Sequence, residues 1–187
     1  MHTTSLTLLE RLRSAHDAEA WRRLVQLYSP LLLNWMQSRG VQPADAADLV
    51  QDVFRVLVRK LPEFQYDPNS SFRGWLRTIT INIWKDHCRR NSKRPTLMSE
   101  LDDWEDTPDC FSTEIHRKEL VAQALVILEP EFRAESWQIF VEHGVNGRPA
   151  AEVATEMKTT VGAVYAAKCR VLARVREYLR GILDENE

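Results

Sequence analysis

Residues 46–61 read AADLVQDVFRVLVRKL, a segment in which apolar residues recur with the period of an α-helix. At about 100° per residue, the aliphatic side chains fall on one side of the helix and the polar side chains form a narrow stripe on the other. The aliphatic side comprises Leu49, Val50, Val53, Val56, Leu57 and Leu61. The polar stripe comprises Asp48, Gln51, Asp52, Arg55 and Arg59. The segment therefore predicts a helix that packs on one side and leaves the other to solvent or to a partner.

The flanking segments continue the helical pattern and supply the rest of a small core. Residues 20–35 predict an apolar helix in which Pro30 produces a kink or a break. Pro62 is expected to end the 46–61 helix, and residues 66–71 have the composition of a turn. In the next helix we expect the core positions to be Phe72, Trp75, Leu76, Ile79 and Ile83, and the flank to carry Arg73, Arg77, Thr80 and Trp84. Strand-type alternation is scarce, so we predict an all-α protein.

Charge is segregated along the chain, although the net charge is only −2. Residues 73–94 carry seven Lys and Arg side chains against one Asp, whereas residues 95–114 carry seven carboxylates and no Lys or Arg. The C-terminal basic residues are Lys158, Lys168, Arg170, Arg174, Arg176 and Arg180. Affinity for DNA phosphates depends on local cation density rather than on total charge. The pattern predicts a helical domain at 1–94, an acidic linker at 95–117 and a second helical domain at 118–187.

The C-terminal domain contains the pattern of a helix-turn-helix. Residues 149–157 predict a short first helix, residues 158–160 the turn, and Val161 the start of the second helix. Thr160 is predicted as the N-cap, a role that stabilises a helix by about 1 kcal/mol. The buried stripe is expected to comprise Val161, Val164, Val171, Leu172, Val175 and Leu179. The opposite side carries small residues and arginines, which would let the backbone approach the major groove of DNA.

In this order, the segments resemble the sigma-70 family of bacterial transcription factors, and its extracytoplasmic-function (ECF) group in particular. The family pattern D-L-V-Q-x-V-F occurs at residues 48–54, F-x-x-W-L at 72–76 and D-x-x-R-R at 86–90. These three patterns are similar to region 2 of the family. Residues 147–176 are similar to its region 4. The resemblance therefore spans nearly the whole chain.

The resemblance implies that the N-terminal domain binds core RNA polymerase. In ECF factors the matching helix docks on the clamp helices of the polymerase β′ subunit. This implies a polymerase-binding role for Asp48, Gln51, Asp52 and Arg55. By periodicity alone, the same stripe is equally a solvated helix face. The resemblance also implies contact with the β flap and leaves open whether an anti-sigma factor is a further partner.

The N-terminal domain is further implied to capture and melt the −10 element of a promoter. The residues in this role would be Tyr66, Asn69, Ser70, Arg73, Arg77, Asn82, Trp84, Lys85, Arg89 and Arg90. An unpaired base is expected to stack on Trp84, an interaction of about 1–3 kcal/mol, while the cations hold phosphates. The alternative for Trp84 is a half-buried position in the core.

Region 4 is implied to bind the −35 element. The residues in this role would be Thr159, Thr160, Gly162, Ala163, Ala166, Ala167, Lys168, Arg170 and Arg174. The commoner ECF pattern G-T-V-x-S-R-L is altered here, because three alanines and a lysine replace its threonine, serine, arginine and leucine. Base readout is therefore left to the turn, to Tyr165, Lys168 or Arg170, or to the shape of the DNA.

The acidic linker has two interpretations. Its composition is that of a solvated tether, but Leu101, Trp104 and Phe111 indicate that it packs into a partner. Its carboxylates are Glu100, Asp102, Asp103, Glu105, Asp106, Asp109 and Glu114. Because related linkers enter the polymerase cleft, the resemblance implies that this one threads the positively charged channel for template DNA and nascent RNA.

The sequence predicts no catalytic, metal or cofactor site. Cys88, Cys110 and Cys169 form no Cys-x-x-Cys pair, the five histidines are scattered, and no phosphate loop or nucleophile motif occurs. An enzyme such as a helical nuclease or hydrolase is therefore disfavoured. No apolar run approaches the roughly 18–20 residues that span a bilayer, and no signal-peptide pattern is present. We expect a cytoplasmic protein without membrane insertion.

The sequence thus favours a transcription initiation factor that binds core polymerase, directs it to specific promoters and helps to melt the −10 element. The expected partners are bacterial core RNA polymerase and promoter DNA, with no small-molecule substrate. The alternative is a stand-alone helix-turn-helix regulator. That alternative leaves the pattern of residues 46–90 without an explanation.

Overall fold

The computed structural model describes residues 8–13, 17–63, 72–91, 111–180 and 182–183. Its α-helices are α1 (Leu8–Leu12), α2 (Ala18–Ser38), α3 (Pro43–Lys60), α4 (Phe72–Asn91), α5 (Thr113–Leu128), α6 (Ala134–Phe140), α7 (Ala150–Glu156) and α8 (Val161–Leu179). Short 3-10 turns follow α3 and α5, and a π-helical turn at Val141–Val145 follows α6. All of these elements are helical, which confirms the all-α prediction. Within the described residues, no helix has the length and apolarity needed to cross a membrane.

The chain divides into two compact units. The first comprises residues 1–120 and 181–187, and the second comprises residues 121–180. The division falls within α5, on the C-terminal side of the linker predicted at 95–117. Because α5 begins at Thr113, residues 113–117 of that predicted linker are helical. The functions assigned to domains 1–94 and 118–187 stay predictions.

In the first unit, α3 packs against both α2 and α4. The predicted aliphatic side of residues 46–61 is buried at Leu49, Val50, Val53, Leu57 and Leu61, and half-buried at Val56. Across this core, the ring of Tyr28 meets the ring of Phe72 edge-on, with 5.8 Å between the centroids. Full burial of one such large apolar side chain stabilises a fold by about 1.5–3 kcal/mol. The packing side predicted for α3 is therefore confirmed.

Pro30 does not break α2, so the break, one of the two predicted outcomes, is wrong, while the kink stays a prediction. The helix runs from Ala18 to Ser38 through the proline. A proline inside a helix removes a backbone hydrogen bond and costs about 3 kcal/mol or more. The neighbouring residues Leu27, Tyr28, Leu31 and Leu32 are all buried. Their packing against the rest of the unit offsets the cost, a contribution that the local sequence cannot show.

The second unit is built on α6, α7 and α8. Its core is a cluster of small and aliphatic side chains to which all three helices contribute, with Met157 packed against it. The cluster comprises Ile139, Ala150, Val153, Ala154, Val164 and Ala167. Small side chains at the α7–α8 contact let the two helices approach closely, which sets the geometry of the helix-turn-helix.

Gly144, in the π-helical turn, is expected to tolerate no side chain. A Cβ built there would lie 2.9 Å from two ring carbons of the buried Phe140. Gly144→Ala should therefore lower the free energy of unfolding by about 1–3 kcal/mol, the usual cost of overpacking. Gly162→Ala is the matched control, because its Cβ would meet no atom closer than 3.9 Å. Chemical denaturation checks the pair, and equal losses in the two variants would contradict the steric argument.

Candidate functional site

The polar stripe of α3 faces solvent, as predicted. Asp48, Gln51 and Arg55 are exposed, and Asp52 is half-buried. The Arg55 guanidinium pairs with the Asp52 carboxylate and donates to the Gln51 side-chain oxygen at 3.5 Å. Surface ion pairs of this kind contribute at most about 1 kcal/mol. The stripe is therefore a charged surface that the core does not need, and its role as a polymerase contact stays a prediction.

The basic face of α4 becomes more exposed toward its C-terminal end. Arg73, Arg77 and Lys85 are half-buried, whereas Asn82, Arg89 and Arg90 are exposed. Arg89 pairs with the Asp86 carboxylate at 3.3 Å, and Arg90 Nε donates to the Asp86 backbone oxygen at 3.3 Å. Asp86 thus orients the two arginines beside one another. Among the residues of the first unit that the structure describes, this end of α4 is the part best suited to hold phosphates.

Trp84 lies in the core, which contradicts its predicted stacking role. Its side chain is 4% exposed, and its ring meets that of Trp35 edge-on with 5.8 Å between the centroids. Thr80 is also buried rather than on the flank, and its hydroxyl donates to the Leu76 backbone oxygen at 2.8 Å. The buried stripe of α4 includes Trp84 because α2 contributes Trp35 to the core beside it. Ile83 and Trp75, expected in the core, are correspondingly only half-buried.

Several predicted site residues lie outside the described residues. For region 2 these are Tyr66, Asn69 and Ser70. For the linker they are Leu101, Trp104 and all the predicted carboxylates except Glu114, which is exposed. Their roles remain predictions.

Phe111 and His116 form an aromatic contact with α2 that the sequence did not predict. Phe111 is buried, stacks on His116 with 6.4 Å between the centroids, and meets Trp35 edge-on at 6.1 Å. His116 is also buried, and its ring lies 5.8 Å from that of Tyr28. Burial, with a smaller contribution from the charge of Arg73, lowers the pKa of His116 from 6.5 to about 4. Phe111, expected to anchor the linker in a partner, thus packs inside the first unit.

The helix-turn-helix is formed by α7, the turn at 157–160 and α8. Thr160 caps α8 as predicted, because its hydroxyl accepts the backbone N–H of Ala163 at 3.1 Å. Lys158 adopts the left-handed backbone conformation, with a φ of 50°. A non-glycine residue is rare in that conformation. The sharp turn keeps α7 and α8 in contact through the shared core.

The predicted DNA-reading side of α8 is only partly exposed. Gly162 and Arg170 are exposed, along with the cap residue Thr160. The half-buried members are Thr159, Ala163, Ala166, Lys168 and Arg174. Ala167, expected to face DNA, is 1% exposed and belongs to the core cluster, whereas Val161, expected in the core, is 41% exposed. Both corrections follow from a rotation of the buried stripe, because α8 packs on α6 and on α7.

Arg174 has carboxylate partners within its own unit. Its Nε and Nη2 donate to the two carboxylate oxygens of Glu131 at 2.7 and 3.1 Å, and Nη1 donates to Glu177 at 3.3 Å. The bidentate contact with Glu131 raises the pKa of Arg174. A phosphate would have to displace these carboxylates, so Arg174 is a weaker candidate for DNA binding than the exposed Arg170.

Arg148 is a structural residue that sequence reasoning missed. Its guanidinium donates to Glu142 at 3.0 Å and to Glu156 at 2.6 Å. It therefore ties the π-helical turn to the end of α7, which steadies the helix-turn-helix. The three residues lie six and eight positions apart, a spacing with no helical period. No local pattern could have indicated this pairing.

Within the described residues, no group of three or more His, Cys, Asp or Glu side chains is arranged to hold a metal ion. The candidate functional surfaces of the two units are the polar stripe of α3, the C-terminal end of α4 and the first turns of α8. Each is a solvent-facing helix surface that is charged or lies beside basic residues. Such surfaces suit binding to macromolecules.

Comparisons with known proteins agree on one family. The family model described as sigma-70 region 2 matches residues 24–94. The ECF RNA polymerase sigma factor SigE of Mycolicibacterium smegmatis is 28% identical over 165 residues, which cover 86% of this chain and 62% of that protein. The ECF RNA polymerase sigma factor BldN of Streptomyces coelicolor is 25% identical over 178 residues, covering 93% and 65%. The ECF RNA polymerase sigma-E factor of Escherichia coli is 33% identical over 92 residues, covering 49% and 46%. The chain spans less than two thirds of the length of each of these relatives.

Proposed function

The chain belongs to the extracytoplasmic-function group of the sigma-70 family, and on this premise we propose that it is a transcription initiation factor. It binds core RNA polymerase, directs the enzyme to specific promoters and helps to melt the −10 element. The observation that carries the proposal is the region 2 match over residues 24–94, a range that includes all of α3 and α4 and most of α2. A stand-alone helix-turn-helix regulator is not favoured, because it gives this match no role.

We assign one binding role to each exposed surface. The α3 stripe binds polymerase, the C-terminal end of α4 holds the phosphates of the separated strands, and the second unit binds the −35 element. Unstacking a base costs a few kcal/mol. Since Trp84 is buried, that cost must be offset by charge pairing at Arg89 and Arg90 and by groups outside the described residues. The chain acts by binding, and it carries out no chemical step of its own.

In vitro transcription tests the proposal directly. Purified bacterial core polymerase is mixed with the full chain and a library of promoter fragments, and the transcript start sites are mapped. We expect defined start sites that appear only when the chain is present. Failure to associate with core polymerase, combined with tight operator binding by the chain alone, would favour the regulator instead.

Replacing Asp48, Gln51 and Asp52 together by alanine is expected to weaken binding to core polymerase at least tenfold. The stripe lies opposite the buried face of α3, so the free energy of unfolding should change by no more than about 0.5 kcal/mol, as is usual for exposed sites. Affinity is measured by titration of labelled chain with core polymerase, and stability by chemical denaturation.

The control for this variant replaces Glu129, Glu135 and Gln138 by alanine. These three residues are exposed and lie in the second unit, and their replacement removes the same two carboxylates and one amide. The control should bind core polymerase like the wild type. Equal affinities of the α3 variant and the wild type would refute the polymerase contact at this stripe.

A further inference from the structure

The first turns of α8 present two large apolar side chains to solvent. Val161 is 41% exposed and Tyr165 is 53% exposed. Residues four positions apart lie on the same face of a helix, with about 5–6 Å between their Cβ atoms. Val164 and Ala167, on the other side, are fully buried. The pair is therefore a small apolar surface that the fold of the second unit does not use.

Three basic residues of the helix-turn-helix lie near Val161 and Tyr165 along the chain. Lys158 and Arg170 are exposed and Lys168 is half-buried, and among the described residues none of the three is in an ion pair. Arg148 and Arg174, by contrast, are held by carboxylates. The surface thus combines an apolar pair with cations that are available to phosphates. Its charge is complementary to that of a nucleic acid.

Small residues allow this face to approach a groove closely. Gly162 is exposed, and Ala163 and Ala166 are half-buried. None of these three residues has a long polar side chain that could read bases through hydrogen bonds. In the major groove, the apolar group that a base pair offers is the 5-methyl group of thymine. The chemistry of the surface therefore matches thymine methyl groups.

We propose that Val161 and Tyr165 select thymines in the −35 element through direct contact with their methyl groups. This specificity role rests on the proposed function of the second unit as a promoter-binding module. Tyr165 is held in place for the contact, because its ring meets the ring of His143 edge-on at 5.3 Å. His143 Nδ1 in turn donates to the Arg148 backbone oxygen at 2.8 Å. The orientation of the Tyr165 ring is thus set in the protein without DNA.

The geometry also limits the spacing of the thymines. Four residues of helix rise about 6 Å, and successive base pairs of duplex DNA are about 3.4 Å apart. The two methyl groups should therefore lie within about two base pairs of each other. They can belong to either strand, because both strands face the major groove.

Selection from a randomised duplex tests the proposal. Holoenzyme assembled from core polymerase and the full chain is used to recover duplexes from a library randomised upstream of a fixed −10 segment. Each conserved thymine of the recovered duplex is then replaced by deoxyuridine, which removes only the methyl group. We expect affinity to fall about fourfold for each methyl group lost, and the Val161→Ala variant to show less than a twofold response at one of these positions.

Two further variants separate this proposal from the proposed function. Val25→Ala, at a valine of α2 that is 38% exposed, should retain the full deoxyuridine effect. Arg170→Ala should weaken binding to all duplexes and lower the salt dependence by about one unit. Enrichment of a sequence without a deoxyuridine effect would overturn methyl readout but leave promoter binding intact. Absence of any enriched sequence or transcript would overturn the proposed function itself.

Discussion

Trp84→Ala is expected to lower the free energy of unfolding of the first unit by about 3–5 kcal/mol, the usual cost of truncating a buried aromatic side chain. The ring is 4% exposed and packs against Trp35 between α2 and α4. Its removal would leave a cavity that the surrounding helices can only partly close. Chemical denaturation followed by circular dichroism measures the loss.

Trp84→Leu distinguishes a core role from contact with DNA. Leucine fills part of the cavity but offers no ring on which a base could stack. If Trp84 is a core residue, this variant should lose less stability than Trp84→Ala and should still open promoter duplexes at a temperature where it is folded. Unchanged stability of Trp84→Ala, with loss of promoter opening in both variants, would restore the stacking role.

Acidification is expected to destabilise the first unit through His116. The folded protein holds the pKa of this residue at about 4, against 6.5 ordinarily, because the ring is buried and Arg73 is close. Between these two values the unfolded chain binds a proton that the folded chain does not. Stability should therefore be complete above about pH 6.5 and fall by about 1.4 kcal/mol per pH unit toward pH 4, for a total of about 3 kcal/mol.

His116→Gln removes the titrating group and should remove this part of the pH dependence. Carboxylates also titrate in the lower half of the window, so the informative quantity is the difference between variant and wild type at each pH. His87→Gln, which alters a half-buried ring on α4, is the control for the replacement of a histidine as such. Parallel stability curves for wild type and His116→Gln from pH 7 to pH 4 would contradict the assignment.

Features that depend on one helix and its near neighbours in the chain could be predicted from the sequence. The packing side of α3 was correct because Leu49, Val53 and Leu57 recur with the helical period and meet their neighbours on one side only. The Thr160 cap was correct because the donor and acceptor lie three residues apart. The solvent-facing stripe at Asp48, Gln51 and Arg55 follows from the same periodicity. Each of the sequence patterns that resemble region 2 also lies within a single helix.

Features that depend on residues distant in sequence could not be predicted in this way. Pro30 remains inside α2 because buried neighbours on both sides offset its lost hydrogen bond. Trp84 is buried because it packs against Trp35 of another helix. Ala167 is buried and Val161 is exposed, the reverse of the expectation, because α8 packs on two helices. Arg174 finds Glu131 across 43 residues of chain. Phe111 and His116 likewise pack against α2, far from them in sequence.

The sequence by itself thus determined the helical class, the packing side of α3, the Thr160 cap, the segregation of charge and the family resemblance, since each is encoded within a few turns of helix. Only the tertiary structure decided which side of α4 and of α8 is buried, which arginines are already paired, and which aromatic rings remain available for contact. The physical reason is that an amphipathic pattern defines a helix face only to within about one residue of rotation. Packing against a second neighbouring helix decides which of the adjacent positions is buried.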